Sequence, residues 1–124
     1  VIDFDAETIF KLSTADTGPA ATLVEPMLVD DESVFAAFKS LRDQVIFANR
    51  RVIAVNTQGV TGKKKDFTSL PYSKIQAFSV ETAGLLGLDT EMILWFSGLG
   101  QVKFEFKGSF DITSFNKIIG RYIL

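Results

Sequence analysis

The turn punctuation of residues 43–91 constrains this chain more than any other feature. Runs rich in β-branched and aromatic residues are broken there by Asn49-Arg50, by Gln58-Gly59-Val60-Thr61-Gly62-Lys63-Lys64, by Ser69-Leu70-Pro71-Tyr72 and by Thr82-Ala83-Gly84. Each break has a mechanism. Asn and Gly accept left-handed backbone, and Pro cannot donate to a strand ladder. Several short strands at even spacing, with turn residues between them, imply an antiparallel sandwich or barrel.

Period-two patterning places strands over 33–39, 44–48, 51–57, 65–70, 74–81, 89–96 and 101–107. The last alternates cleanly, with Val102, Phe104 and Phe106 inward and Gln101, Lys103, Glu105 and Lys107 outward. The period then changes. Asp111 reads as a helix N-cap, and Ile112, Phe115, Ile119 and Tyr122 fall on one helical stripe. Gly120 costs that helix about 1 kcal/mol relative to Ala. At the other end, the spacing of Phe4, Thr8, Ile9 and Leu12 predicts a helix over 4–13. Asp16, Gly18 and Pro19 break it, and 20–28 reads as a second helical piece with Pro26 near its end. The division is a helical appendage over 1–30 and a β-rich domain over 31–124. About seven antiparallel strands followed by one amphipathic helix suit a bent sheet or partly open barrel whose open end the helix covers. That is a pleckstrin-homology-like arrangement.

Composition excludes more than it supports. The 124 residues contain no cysteine and no histidine. There is therefore no disulfide, thiolate nucleophile or zinc–sulfur site, and no serine–histidine triad or HExxH metal site. No cofactor is expected. A hydrophobic fraction of 47% with 23% charged residues belongs to a globular chain and not a disordered one. Twelve phenylalanines point to a core of large rings or to an additional buried surface such as a subunit interface. A formal net charge of −2 offers no bulk attraction to nucleic acid. Asp3, Asp5 and Glu7 stand where a secretory signal needs positive charge, and Asp89 and Glu91 interrupt the longest apolar region. The expectation is a soluble, cytoplasmic protein, with contact to a membrane surface as a peripheral option.

Several signatures together resemble the bacterial pleckstrin-homology domain family: Leu41-Arg42-Asp43, residues 47–51, Gln58-Gly59-Val60-Thr61-Gly62-Lys63-Lys64, Ser69-Leu70-Pro71-Tyr72, residues 78–84 and Leu88-Asp89-Thr90-Glu91. The resemblance covers residues 32–124. Ala48 and Gly87 depart from it, where the family usually has Thr and an acidic residue; neither change threatens the fold. The resemblance implies a pleckstrin-homology-like barrel and assembly of the chain with itself into a symmetric ring, five subunits being the expected number. It implies no ligand and no catalytic residue, and any separate protein partner stays unnamed.

Three groups are candidates for a site. Lys63-Lys64-Lys65 is the one basic run, and Arg50 and Arg51 could join it to bind a lipid headgroup or another polyanion. Three lysines near an anionic membrane contribute only about 3 kcal/mol, and lysines also protect an edge strand from pairing. Asp89 and Glu91, two apart on a strand, share a face and could serve acid–base chemistry or bind a cation. The ligand count favours simple strand-edge charges. Finally, Ile93 and Trp95 alternate with Met92, Leu94 and Phe96, so both faces of that strand are apolar. One face enters the core. The Ile93/Trp95 face needs cover, from the N-terminal helices or from another subunit.

Overall fold

The computed structural model of the chain describes residues 8–85 and 89–124. They form two compact units, one over Thr14–Pro71 and the other over Tyr72–Leu124 together with the segment ending at Ser13. The helix reading of Phe4 and the signature residue Leu88 fall outside the described residues.

In the first unit β2 (Val34–Lys39), β3 (Asp43–Ala48), β4 (Arg51–Gln58) and β5 (Lys64–Pro71) form an antiparallel meander, ordered β5-β4-β3-β2. The central pair β3 and β4 is buried on both faces, from Val45 to Ala48 and from Val52 to Val55. Phe38, Val45, Phe47, Val52, Ala54 and Leu70 lie opposite one another along one face, and Phe38 meets Phe47 edge-on at 5.6 Å. The other face is covered by α1 (Thr17–Val24), whose Ala20 and Val24 pack with Ala37, Ile46, Ile53 and Val55.

The helix expected over 20–28 thus begins earlier. Asp16 caps it, accepting the Gly18 N–H at 3.0 Å. Pro19 sits in the first turn, where its missing N–H has no intrahelical partner to lose. Pro26 tightens the end into a 3-10 turn over Glu25–Met27. Asn49, in the turn between β3 and β4, does more than tolerate an unusual conformation. Its amide donates to the Asp31 carbonyl at 2.8 Å and its oxygen accepts the Ser33 N–H at 2.9 Å. These bonds anchor the loop in which Asp31 adopts φ 64°.

In the second unit β6 (Ile75–Glu81), β7 (Thr90–Phe96) and β8 (Gly100–Phe106) are antiparallel, and β1 (Thr8–Thr14) runs parallel to β8, giving the order β1-β8-β7-β6. Residues 8–13 are therefore strand where helical spacing predicted a helix, and the strand count among the described residues rises to eight. The physical reason is a ladder with a distant partner: Leu12 lies opposite Phe106, the Lys107 N–H donates to the Leu12 carbonyl at 2.8 Å, and Leu12 is fully buried. α2 (Ile112–Ile123) begins at the expected cap, Asp111, and buries Ile112, Phe115 and Ile119. It packs on the face that carries Met92, Leu94, Val102, Phe104 and Phe106, all buried. Phe106, Phe110 and Phe115 form a ring cluster with centroids 4.7 to 5.8 Å apart. No helix among the described residues is long and apolar enough to cross a membrane.

Candidate functional site

Lys63, Lys64 and Lys65 lie at the end of the β4–β5 hairpin and are exposed. Gly59 (φ 76°) and Gly62 (φ 69°) shape the loop, and the Lys65 ammonium donates to the Gly62 carbonyl at 3.0 Å. Arg50 and Arg51 do not join them. Arg51 lies opposite Pro71 and Gln58 opposite Lys64, so the arginines occupy the other end of the hairpin. Seven residues of strand make that roughly 23 Å. Arg51 is also engaged: its guanidinium reaches Glu32 at 2.9 and 3.0 Å, the Met27 carbonyl at 2.6 Å and the Ser69 hydroxyl at 2.9 Å. Arg50 is exposed and lines a small depression of about 200 Å³ with Val29, Glu32 and Pro71.

The lysine loop has a neighbour that sequence reasoning passed over as a connection. The turn between β2 and β3 carries Leu41, which is 99% exposed, and Val60 in the lysine loop is equally bare. Arg42 ties the two together: its guanidinium donates to the Gly59 carbonyl at 2.7 Å, and its carbonyl accepts the Thr57 N–H at 3.4 Å. Beside them opens a cavity of about 460 Å³, lined in part by Asp16, Pro19, Lys39, Leu41, Arg42 and Asp43. An aliphatic residue isolated among turn residues, as in Lys39-Ser40-Leu41-Arg42, was the available signal.

Asp89 and Glu91 do not act as a pair. Asp89 precedes β7 with φ 56°, and its carboxylate accepts the Gly108 N–H at 3.1 Å. Glu91 is on the strand, 3.7 Å from the Lys103 ammonium. Directly beside it across the sheet lie Glu81 and Glu105. Like charges so placed oppose one another, and they border a depression of about 270 Å³. The Thr90 hydroxyl is buried there with no hydrogen-bond partner among the described residues. No group of three or more metal-ligating side chains among the described residues is placed to hold a metal ion. The geometry supports surface charge on the strand, with Lys103 as the partner of Glu91.

Ile93 and Trp95 are half-buried on the face of β7 that points away from α2. Trp95 is flanked by Ala77 and Gln101, and Ile93 by Ser79 and Lys103. The apolar side of α1 is spent on the first unit's sheet.

An antiparallel four-stranded meander, a second sheet of antiparallel β8, β7 and β6 with β1 parallel to β8, and a C-terminal helix packed on one face of that second sheet define a pleckstrin-homology-like protein. Comparison with known proteins agrees. The model of the family described as bacterial PH domain matches residues 3–123, and the chain belongs to that family. It is 42% identical over 109 residues to the uncharacterized protein YjqA of Bacillus subtilis, covering 86% of this chain and 87% of that one. Among solved structures, it resembles a DUF1696 family protein with a pleckstrin-homology domain from Shewanella loihica, with a TM-score of 0.78, 34% identity and coverage of 93% and 99%. It also resembles a pleckstrin homology domain from Shewanella amazonensis, with a TM-score of 0.65, 40% identity and coverage of 89% and 90%.

Proposed function

We propose that this chain is a non-catalytic interaction module of the cytoplasm that assembles with itself into a ring, a pentamer by its family resemblance, and presents many copies of one surface. The observation that carries this reading is the outer face of β6, β7 and β8. Ala77, Ile93 and Trp95 form an apolar patch there, on the face of the sheet away from α2, with no helix of their own unit over it among the described residues. A patch that repeats head-to-tail closes into a ring when the rotation allows, and linked copies bind a common target far more tightly than one copy does. Light scattering behind size exclusion, over a dilution series, tests it. A stable mass near five subunits that falls in Trp95→Ala is expected. A monomer at all concentrations, or an unchanged mass in the variant, removes the ring from this surface.

A second reading has its own observation. Lys63, Lys64 and Lys65 are solvent-exposed at one end of a sheet, as a peripheral contact with anionic headgroups requires. Sedimentation with vesicles that contain anionic lipid, lost in the triple Lys→Ala variant, supports this reading over a scaffold alone.

A further inference from the structure

We infer that the depression at the Arg50 end of the β3–β4 hairpin docks a peptide segment of a partner protein in which one aliphatic side chain stands beside one carboxylate. The aliphatic group fills the depression and the Arg50 guanidinium meets the carboxylate. This rests on the reading of the chain as an interaction module. It uses a different surface from the Trp95 face and needs no ring.

The size and lining of the depression select the occupant. Val29, Glu32, Arg50, Arg51, Ser69 and Pro71 enclose about 200 Å³. A whole small-molecule ligand takes about 300 to 1,000 Å³, so this volume suits one anchor side chain of a larger partner. The polar groups of the lining are already engaged with one another. The Glu32 carboxylate accepts from Arg51 at 2.9 and 3.0 Å and from the Val29 N–H at 3.0 Å. Arg51 also donates to the Ser69 hydroxyl and the Met27 carbonyl. What the depression offers an occupant is therefore hydrocarbon, from Val29, Pro71 and the arginine stems.

The rim is fixed in shape. Val29 keeps 55% of its surface exposed although its backbone is bonded on both sides, its N–H to the Glu32 carboxylate and its carbonyl to the Glu32 N–H at 3.1 Å. Asn49 fastens the same loop at the Asp31 carbonyl and the Ser33 N–H. A valine held outside the core by a bonded loop is already in place for a partner, and a preformed rim loses little entropy on contact.

The charge of the lining supplies the second half of the match. Arg51 and Glu32 neutralise each other. Arg50 is exposed and makes no hydrogen bond or ion pair among the described residues. One uncompensated positive charge thus stands beside an apolar hollow. Asp30 and Asp31 follow Val29 in the loop and are exposed, but neither lines the depression. They act against a partner rich in acids, which restricts the match to a single carboxylate.

Saturation-transfer NMR on the full chain at low salt tests the inference. The probe is a short end-blocked peptide of glycine and serine that carries one leucine–aspartate pair. Its leucine methyls are expected to receive saturation. Alanine in place of the peptide's leucine should weaken binding about tenfold, and asparagine in place of its aspartate about threefold. Arg50→Glu should reverse the charge preference, so that a leucine–lysine peptide binds better than the original. Val29→Ser should weaken the leucine peptide about threefold while melting like the wild type, because the backbone bonds of the loop are kept.

No transfer to the leucine–aspartate peptide, or equal binding of the leucine and alanine peptides, overturns the inference. So does an Arg50→Glu protein that keeps the original charge preference. A solution mass that falls in Arg50→Glu while no peptide binds makes a second copy of the chain the occupant and overturns it as well. A ring that forms and depends on Trp95 while no peptide binds leaves the scaffold reading standing and removes this site alone.

Discussion

Arg51 on β4 grips Glu32, nineteen positions earlier, through two N–H···O bonds of 3.0 and 2.9 Å, and the Glu32 side chain is only 1% exposed. The same guanidinium donates to the Met27 carbonyl and the Ser69 hydroxyl. One side chain thus fastens the segment after α1 to the edge of the first sheet. Removing one partner of such a pair leaves the other's charge buried without compensation. Arg51→Ala is expected to lower stability by about 3 kcal/mol, and Arg51→Ala with Glu32→Gln by less. Urea unfolding of the three proteins checks this. Equal losses would mean that the Glu32 charge costs nothing once Arg51 is gone.

Phe115 is the central contact of α2, 5.8 Å from Phe106 and 5.4 Å from Phe110. Phe115→Ala removes a buried ring and leaves a cavity that the rigid strand cannot fill, so it should cost about 3 to 4 kcal/mol. Phe115→Leu keeps most of the volume and should cost less than half of that. Thermal unfolding followed by circular dichroism separates the two.

Gly100 opens β8 at φ 95°, whereas Gly84 has open space around it and no positive φ. An added Cβ is strained at the first position by roughly 1–2 kcal/mol and costs nothing at the second, where it restricts the unfolded chain. Gly100→Ala should destabilise while Gly84→Ala leaves the midpoint unchanged or slightly raised. The same sign for both in chemical denaturation would contradict the turn geometry.

Asp111 caps α2. The Ser114 hydroxyl at 2.8 Å, the Ser114 N–H at 3.1 Å and the Thr113 hydroxyl at 3.0 Å all donate to its carboxylate and hold its pKa below the ordinary carboxylate value. A depressed folded-state value contributes stability above the unfolded pKa, and that contribution disappears as pH falls through the folded value. Asp111→Ala should lower the melting temperature by a few degrees at neutral pH. The gap to wild type should close in acid, below the usual range of aspartate titration. A gap independent of pH would assign the cap's effect to something other than its charge.

Local chemistry made much of this legible in the chain. The hairpin over 44–57, the stop at Pro71, the alternation of β8 and the Asp111 cap each depend on residues within a few positions of one another, and each appears where the pattern placed it. Leu12 shows the opposite case. A short apolar run fits either period, and only a ladder to Phe106, ninety-four positions away, makes it a strand. Among the candidate site residues, Ile93 and Trp95 could be placed from alternation alone. The fate of Arg51 could not, because its partner Glu32 becomes a neighbour only when the sheet forms.

The sequence by itself determined where strands turn, where α2 starts and which chemistries are closed for want of cysteine and histidine, since these follow from single residues and their near neighbours. Tertiary structure alone decided that Arg51 serves an ion pair and stands at the far end of the hairpin from Lys64. It alone set Glu91 beside two like charges and brought Leu41 and Val60 to a common end. Charge and exposure are properties of a side chain's surroundings, and strand pairing assembles those surroundings from residues far apart in the chain.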